Sequence, residues 1–416
     1  MKQILVQKFG GSSVADVKRL KHVAELACHA ADEGYAVVVV TSAQGNTTNA
    51  LIRKAQEILP NPKTAKREYD ALVATGEKIA IALLSMALIA EGHKAVSYSG
   101  AQAGILTDSL YTKARILDID TRHMRDDLAQ GRIVVVAGFQ GVDQAGRTTT
   151  LGRGGSDITA AALACALCAV RCEIFTDVAG FYSADPRWVP EASMLEHLGY
   201  DEALELTHLG AGVTHPRAVE LARQHELELV IRSSFEQGWG TRISGGVDME
   251  AERQIRGVTC RTDEVKISVL EVPDEPGVAA RLFGRLAEAR IPVDMVIQNL
   301  SRRGINDISF TVAKEDFPEA QPIVKRVGEE LNAKAVDFDD NVAKVSIVGG
   351  GIADFPEVAS QMFSALGDAG INIEMISSSE LKLSCLIAAP DAKRAVQALH
   401  QQFKLGNAAS SSPRAG

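Results

Sequence analysis

The C-terminal part of this chain is written twice. KISVLEVPDEPGVAARLFGRLAEARIPVDMVIQN, from Lys266, aligns with KVSIVGGGIADFPEVASQMFSALGDAGINIEMISSS, from Lys344. Phe283 pairs with Phe363 and Met295 with Met375, each 80 positions apart, whereas Lys266 and Lys344 are 78 apart, so the second copy carries two extra residues in its first loop. Each copy reads strand, loop, amphipathic helix, strand, then a second strand, DISFTV in one and KLSCLIAA in the other. Two copies are too few for a solenoid. They suit small α+β domains that pair sheet to sheet.

Residues 1–235 obey a different rule. Six short runs rich in Val and Ile (ILVQKF, YAVVVVTS, KAVSYS, IVVVAGF, CEIFTDV and ELVIRSSF) are separated in several places by helical patterns of ten or more residues. That alternation predicts an α/β domain with a mostly parallel open sheet covered by helices on both faces. Ligands of such sheets sit at the carboxyl ends of the strands. The Gly- and polar-rich segments GGSS, TSAQGNTTN, GFQGVD and TDVAGFYSADPR fall there. Residues 236–264, with EQGWGTRISGG, read as a linker, 265–340 and 341–405 as the two repeats, and 406–416 as a flexible tail.

The charge balance bears on partners. A net charge of -9 without a basic run argues against nucleic acid and membrane surfaces. The run IAIALLSMALIA at 79–90 is shorter than the roughly 20 residues that span a bilayer, and no signal-peptide pattern opens the chain. A cytoplasmic protein is expected. Cys165, Cys168 and Cys172 show metal-like spacing, but an alanine-rich helix would set them on one face as small apolar groups, with no further ligands nearby.

KFGGSS, SAQGNTTNALI, TGE, TTTLGRGGSDITAAALA, TDVAGFYSADPR, LGAGVTHPRAVELA and IRSSF, in that order, resemble the amino-acid kinase domain of the aspartokinase family. The two repeats resemble that family's paired, ferredoxin-like ACT domains, and the likeness covers nearly all of residues 3–405. It implies transfer of the γ-phosphoryl group of ATP, with Mg2+, to the side-chain carboxylate of L-aspartate, the entry to lysine, threonine and methionine synthesis.

That chemistry fits the residues. A carboxylate is already ionised at neutral pH, so positive groups and backbone N–H donors matter more than a general base. Lys8 at a strand end can reach the moving phosphoryl group, and Gly10, Gly11 and Ser12 let the backbone approach the phosphates. Arg153 offers a planar fork to a substrate carboxylate, Ser156 a hydrogen bond, and Asp157 a partner that orients Lys8. On the residues alone, KFGGSS also reads as a lysine beside a flexible turn, GGSD as a helix cap, Glu77 as a solvent-facing helix acid and SADPR as a turn. The resemblance implies more: Thr47, Thr48, Glu77, Gly154 and Gly155 around aspartate, with Glu77 on its ammonium, and Phe9, Ser42, Thr176, Asp177, Tyr182, Asp185, Pro186 and Arg187 around the nucleotide. For an amino-acid effector, threonine or lysine or both, it implies Asp274, Gly277, Ala279, Gln298 and Asn299 in the first ACT copy, with Asn372 and Glu374 from the second. A homodimer or higher oligomer through the ACT domains is expected, in some relatives with a shorter ACT-only subunit.

Two positions depart from the family pattern. Gly212 stands where a basic residue is common, leaving Arg187 or Arg217 as its replacement, and Ala179 stands where an acid is common. His208 and His215 read as structural hydrogen-bonding residues. A glutamate or acetylglutamate kinase, or an amino-acid sensor with a weakened kinase domain, are the competing readings.

Overall fold

The computed structural model describes residues 2–210, 212–236, 238–245, 255–300, 304–350, 352 and 355–406. The tail from 407 and the linker stretch 246–254 lie outside the described residues. Two compact units divide the chain: Met1–Phe181 with Met194–Thr207 and Gly212–Asp248, and Tyr182–Ser193 with His208–Ala211 and Met249–Gly416.

The first unit is built on an eight-stranded sheet. Its six parallel members are the six apolar runs: β1 (Ile4–Phe9), β2 (Ala36–Thr41), β3 (Ala95–Tyr98), β4 (Ile133–Ala137), β5 (Arg171–Thr176) and β6 (Leu229–Ser233), in the order β6-β5-β1-β2-β4-β3. Thr241–Ile243 lies antiparallel on β6, with His197–Leu198 beside it at the sheet edge. Val37 to Val40 are all buried although alternate side chains point to opposite faces, so both faces of the sheet are covered here. The helices used below are α1 (Val17–Asp32), α2 (Thr47–Ile58), α3 (Thr75–Ala90), α4 (Gly155–Leu167) and α5 (Pro216–Gln224). The Asp16 carboxylate caps α1 by accepting from Arg19 N at 2.9 Å. A second, four-stranded sheet (Ile105–Thr107, Ile116–Ile119, Gln140–Val142, Thr148–Thr150) has strands of three or four residues, too short to leave a period in the sequence.

Two expectations change. Only Cys165 of the cysteine trio lies in α4: Cys168 ends the helix in the left-handed conformation (φ 53°) and Cys172 is buried in β5. The helical stretch Pro62–Ala90 has 29 residues, enough by length and composition to cross a bilayer. Half of its most apolar part is buried inside the protein, where Ala80, Ile81, Leu84 and Leu88 pack, and it carries the buried acids Asp70 and Glu77, as a core helix does.

The second unit is one six-stranded sheet, ordered β8-β9-β7-β10-β12-β11, from β7 (Ile255–Pro273), β8 (Val296–Leu300), β9 (Ile305–Ala313), β10 (Ala335–Gly349), β11 (Met375–Ser378) and β12 (Lys382–Ala388). The long strands β7 and β10 serve both repeats. Glu264–Leu270 pairs with Val342–Ala335, and Ile255–Arg261 with Gly349–Lys344. Residues 255–264, expected as linker, are therefore strand, and the expected boundary at 340 falls inside β10. Each repeat is also longer than its sequence pattern. To α6 (Val278–Glu288) the first adds α7 (Phe317–Glu330), and to α8 (Pro356–Asp368) the second adds α9 (Ala392–Gln402), which complete separate cores around Phe310 and Met362.

The repeats are tied crosswise. Lys266 and Lys344 are equivalent by sequence, as are Asp294 and Glu374, one residue before the paired methionines. Lys266 Nζ meets Glu374 Oε2 of the other copy at 2.8 Å, while Lys344 meets Asp294. Lys344 is buried and also lies 2.8 Å from the buried Glu264. Such a pair holds register more than it adds net stability, since desolvation offsets most of its attraction.

Candidate active site

At the carboxyl ends of β1, β2 and β4, the loops enclose a cavity of about 280 Å3 lined by Lys8, Gly11, Ser42, Thr48, Glu77, Phe139 and the Gly152–Asp157 loop. Lys8 is the penultimate residue of β1, buried, with Nζ 2.7 Å from Asp157 Oδ1. Asp157 sits in the first turn of α4, and Thr214 Oγ1 approaches its second oxygen at 3.5 Å. The helix terminus itself favours anions. It begins sharply because Gly154 adopts φ +66°, and a Cβ there would lie 2.3 Å from His215 Cδ2. Gly11 is equally constrained: a Cβ would come within 2.7 Å of Ala43 O, so the β1 and β2 loops close on each other only with glycine. This narrow backbone cradle beside a cation is the form that triphosphate oxygens fit.

Ser42 Oγ donates to Ser156 Oγ at 2.9 Å, joining the β2 loop to α4. Thr47 Oγ1 donates to Gln44 O at 2.7 Å, while Thr48 lines the cavity. Glu77, in the first turn of α3, is 3% exposed. Its Oε1 accepts from Ala43 N at 3.1 Å, and its buried Oε2 has no hydrogen-bond partner among the described residues. Burial pushes its carboxyl up to about 7, against hydrogen bonds that pull it down. A buried carboxylate gains from any cation placed beside it.

The other expected residues are spread over both units. Phe9 is buried and stacks on Phe175 with ring centroids 4.5 Å apart, away from the cavity lining. Gly10 donates to Phe175 O, Thr176 Oγ1 donates to Asp177 Oδ1 at 3.1 Å, and both lie at the ends of β1 and β5. Tyr182, Asp185, Pro186 and Arg187 belong to the second unit, where exposed Arg187 holds the Asp185 carboxyl below its usual range. Asp274 accepts from Asn306 Nδ2 at 2.7 Å, Gly277 starts α6 at φ +95° with Ala279 in its first turn, and Gln298 and Asn299 face Ile308 and Asp307 across β8 and β9. Asn372 is exposed, and Glu374 is engaged by Lys266.

The departures find local reasons. Gly212 adopts φ +65°, a conformation that side-chain-bearing residues rarely take. Arg217 does not replace the missing cation: it donates to Leu151 O at 3.1 Å and Ala114 O at 3.3 Å. His215 caps α5 by accepting from Arg217 N at 3.2 Å. Phe139, absent from the expected set, lines the cavity at φ +69°, a strained value for an aromatic residue, held by its N–H donating to Thr159 Oγ1 at 3.1 Å. Its place in GFQG after β4 was the one available signal.

The sheet, the cradle and the lysine define an ATP-dependent kinase acting on a small acid. The amino acid kinase family matches residues 3–233, and the ACT domain family matches 265–327 and 345–403. An aspartokinase of Pseudomonas aeruginosa is 48% identical over 97% of this chain and 98% of its own length, and one of Thermus thermophilus is 44% identical over 97% and 100%. The crystal structure of E. coli aspartokinase III in complex with aspartate and ADP superposes with a TM-score of 0.80 at 26% identity, covering 97% of this chain and 100% of that one. The chain belongs to the amino acid kinase family, in its aspartokinase branch with ACT domains.

Proposed function

We propose that the cavity around Lys8 is where this kinase joins ATP and L-aspartate, yielding 4-phospho-L-aspartate. The observation that carries the reading is that a buried Lys8–Asp157 pair and a buried Glu77, one of whose oxygens finds no partner among the described residues, line the same small cavity. Glu77 and the Gly152–Ser156 loop hold the amino acid, Glu77 on the ammonium and Arg153 on a carboxylate. Lys8, kept in place by Asp157, neutralises charge on the moving phosphoryl group, and the Gly10–Ser12 backbone holds phosphate oxygens. Magnesium supplies further charge neutralisation, held through the phosphates and water. No proton needs to leave the nucleophile, and the cavity is lined without a histidine. A hydroxamate assay with Mg-ATP tests the reading: aspartate gives product, and glutamate and N-acetylglutamate give little. Equal rates with either of those acids would move the chain to another branch.

The effector, threonine or lysine, is held mainly by the first ACT copy, where Gly277 opens α6 in the left-handed conformation and its first N–H groups and Gln298 supply polar contacts. In the second copy Glu357 stands in the first turn of α8, and its charge repels a ligand carboxylate. ACT pairing between two chains forms the dimer. Gln298→Ala is expected to relieve inhibition, with a coupling loss of about 1 to 3 kcal/mol, while the uninhibited rate stays unchanged. Superimposable threonine and lysine inhibition curves for variant and wild type would exclude this site.

A further inference from the structure

A buried carboxylate and a half-buried guanidinium, neither of which lines the cavity, hold the backbone that enters it. Asp70 is fully buried, and its carboxylate accepts from three donors: Thr112 N at 2.9 Å, Thr150 N at 2.8 Å and Thr150 Oγ1 at 2.8 Å. The same two segments are bonded to each other through Ala114 N to Thr150 O at 2.9 Å. Arg217, half-buried at the start of α5, completes the arrangement with its fork on Leu151 O and Ala114 O. A carboxylate thus takes the N–H groups and a guanidinium the C=O groups of the same pair of segments.

One of these segments leads straight into the cavity. Thr150 and Leu151 run directly into Gly152, Arg153, Gly154 and Gly155, the loop that lines it. Thr112 sits at φ +72°, strained for a β-branched residue, and a Cβ on Gly152 would lie 3.0 Å from Thr112 O. The strained loop is pressed against the cavity loop, and Asp70 holds both. Desolvation of a carboxylate and a guanidinium is costly, and burial works against the charged form of each. An apolar residue at either position would leave these backbone groups without their partner.

We propose that Asp70 and Arg217 are positioning residues for substrate binding: together they fix the Thr150–Gly155 backbone so that Arg153 meets the amino-acid carboxylate. The inference rests on the assignment of Arg153 to aspartate. A carboxamide at position 70 lacks one of the two acceptor oxygens, and a lysine at 217 reaches one carbonyl at a time.

The test is a kinetic cycle. Asp70→Asn and Arg217→Lys are each expected to raise the aspartate KM about tenfold or more, while the ATP KM stays within about twofold. In an Arg153→Ala background the same changes add little, because the group they position is gone. Hydrogen exchange on folded Asp70→Asn shows faster exchange at Thr150 and the loop after it. Equal rises in both KM values, or full additivity with Arg153→Ala, would overturn the proposal. If Arg153→Ala by itself leaves the aspartate KM unchanged, the assignment of Arg153 fails; faster loop exchange in Asp70→Asn would then still show the positioning, and unchanged exchange would refute it.

Discussion

Lys8→Ala is expected to lower kcat by about 10² or more, with the aspartate KM within a few-fold of wild type. Lys8 is buried beside Asp157 at the end of a strand, so its ammonium is already ordered and desolvated before the substrates arrive. In the proposed role, the charge it would meet grows on the phosphoryl oxygens as the bond to ADP lengthens, and an interaction that strengthens in the transition state appears in kcat rather than in KM. Arginine at this position keeps the charge but not the size, in a site where the lysine is 9% exposed, and should recover only part of the rate. Steady-state kinetics with a coupled ADP assay measures both constants. A wild-type kcat for Lys8→Ala would remove the residue from the mechanism.

The six parallel strands were legible because each is a short apolar run, and all but the half-buried edge strand Ala95–Tyr98 are largely buried, a pattern that survives without knowledge of its neighbours. The small sheet was not, since strands as short as Thr148–Thr150 are defined by their partners. The repeats announced two domains but hid that β7 and β10 are shared: a repeat is found by aligning consecutive copies, and a strand that precedes both copies and pairs with the second leaves no such trace. In the site, Lys8, Glu77 and the Arg153 loop stood out through the family resemblance rather than from their local sequence, and the structure gathers them around one cavity. Asp70 was invisible. In KREYDALV it reads as an ordinary helix acid, and only the fold brings Thr112 and Thr150 to it from 42 and 80 residues away. Arg217 was noticed for the wrong reason, as a phosphate contact, because charge alone does not tell a buried fork on carbonyls from a free cation.

Glu77→Gln is the second large expected effect, a loss of aspartate affinity of about 1.5 to 3 kcal/mol from one charge-assisted contact, without a matching change in the ATP KM. The raised carboxyl gives the effect a pH signature. With a folded value of about 7 against an ordinary value of 4.5, Glu77 is neutral in the free native protein at mildly acid pH, when the unfolded chain is already ionised. Its contribution to stability is therefore favourable at low pH and declines as pH rises through the window between the two values. Above pH 7 the burial cost is complete, and Glu77→Gln should melt higher than wild type in the absence of ligand. Binding runs the other way. If the substrate ammonium pairs with this carboxylate as proposed, aspartate affinity is expected to fall as pH drops below about 7, and near that pH binding should expel about half a proton per site.

Calorimetric titration of L-aspartate at neutral pH, in two buffers of different ionisation heat, measures affinity and proton release together. The wild type is expected to give a buffer-dependent heat that reports proton loss, and Glu77→Gln to bind at least about tenfold more weakly with a smaller proton loss. Equal affinity and equal proton release in the two proteins would mean that aspartate does not bind at Glu77, and would contradict the assignment of this cavity as its site.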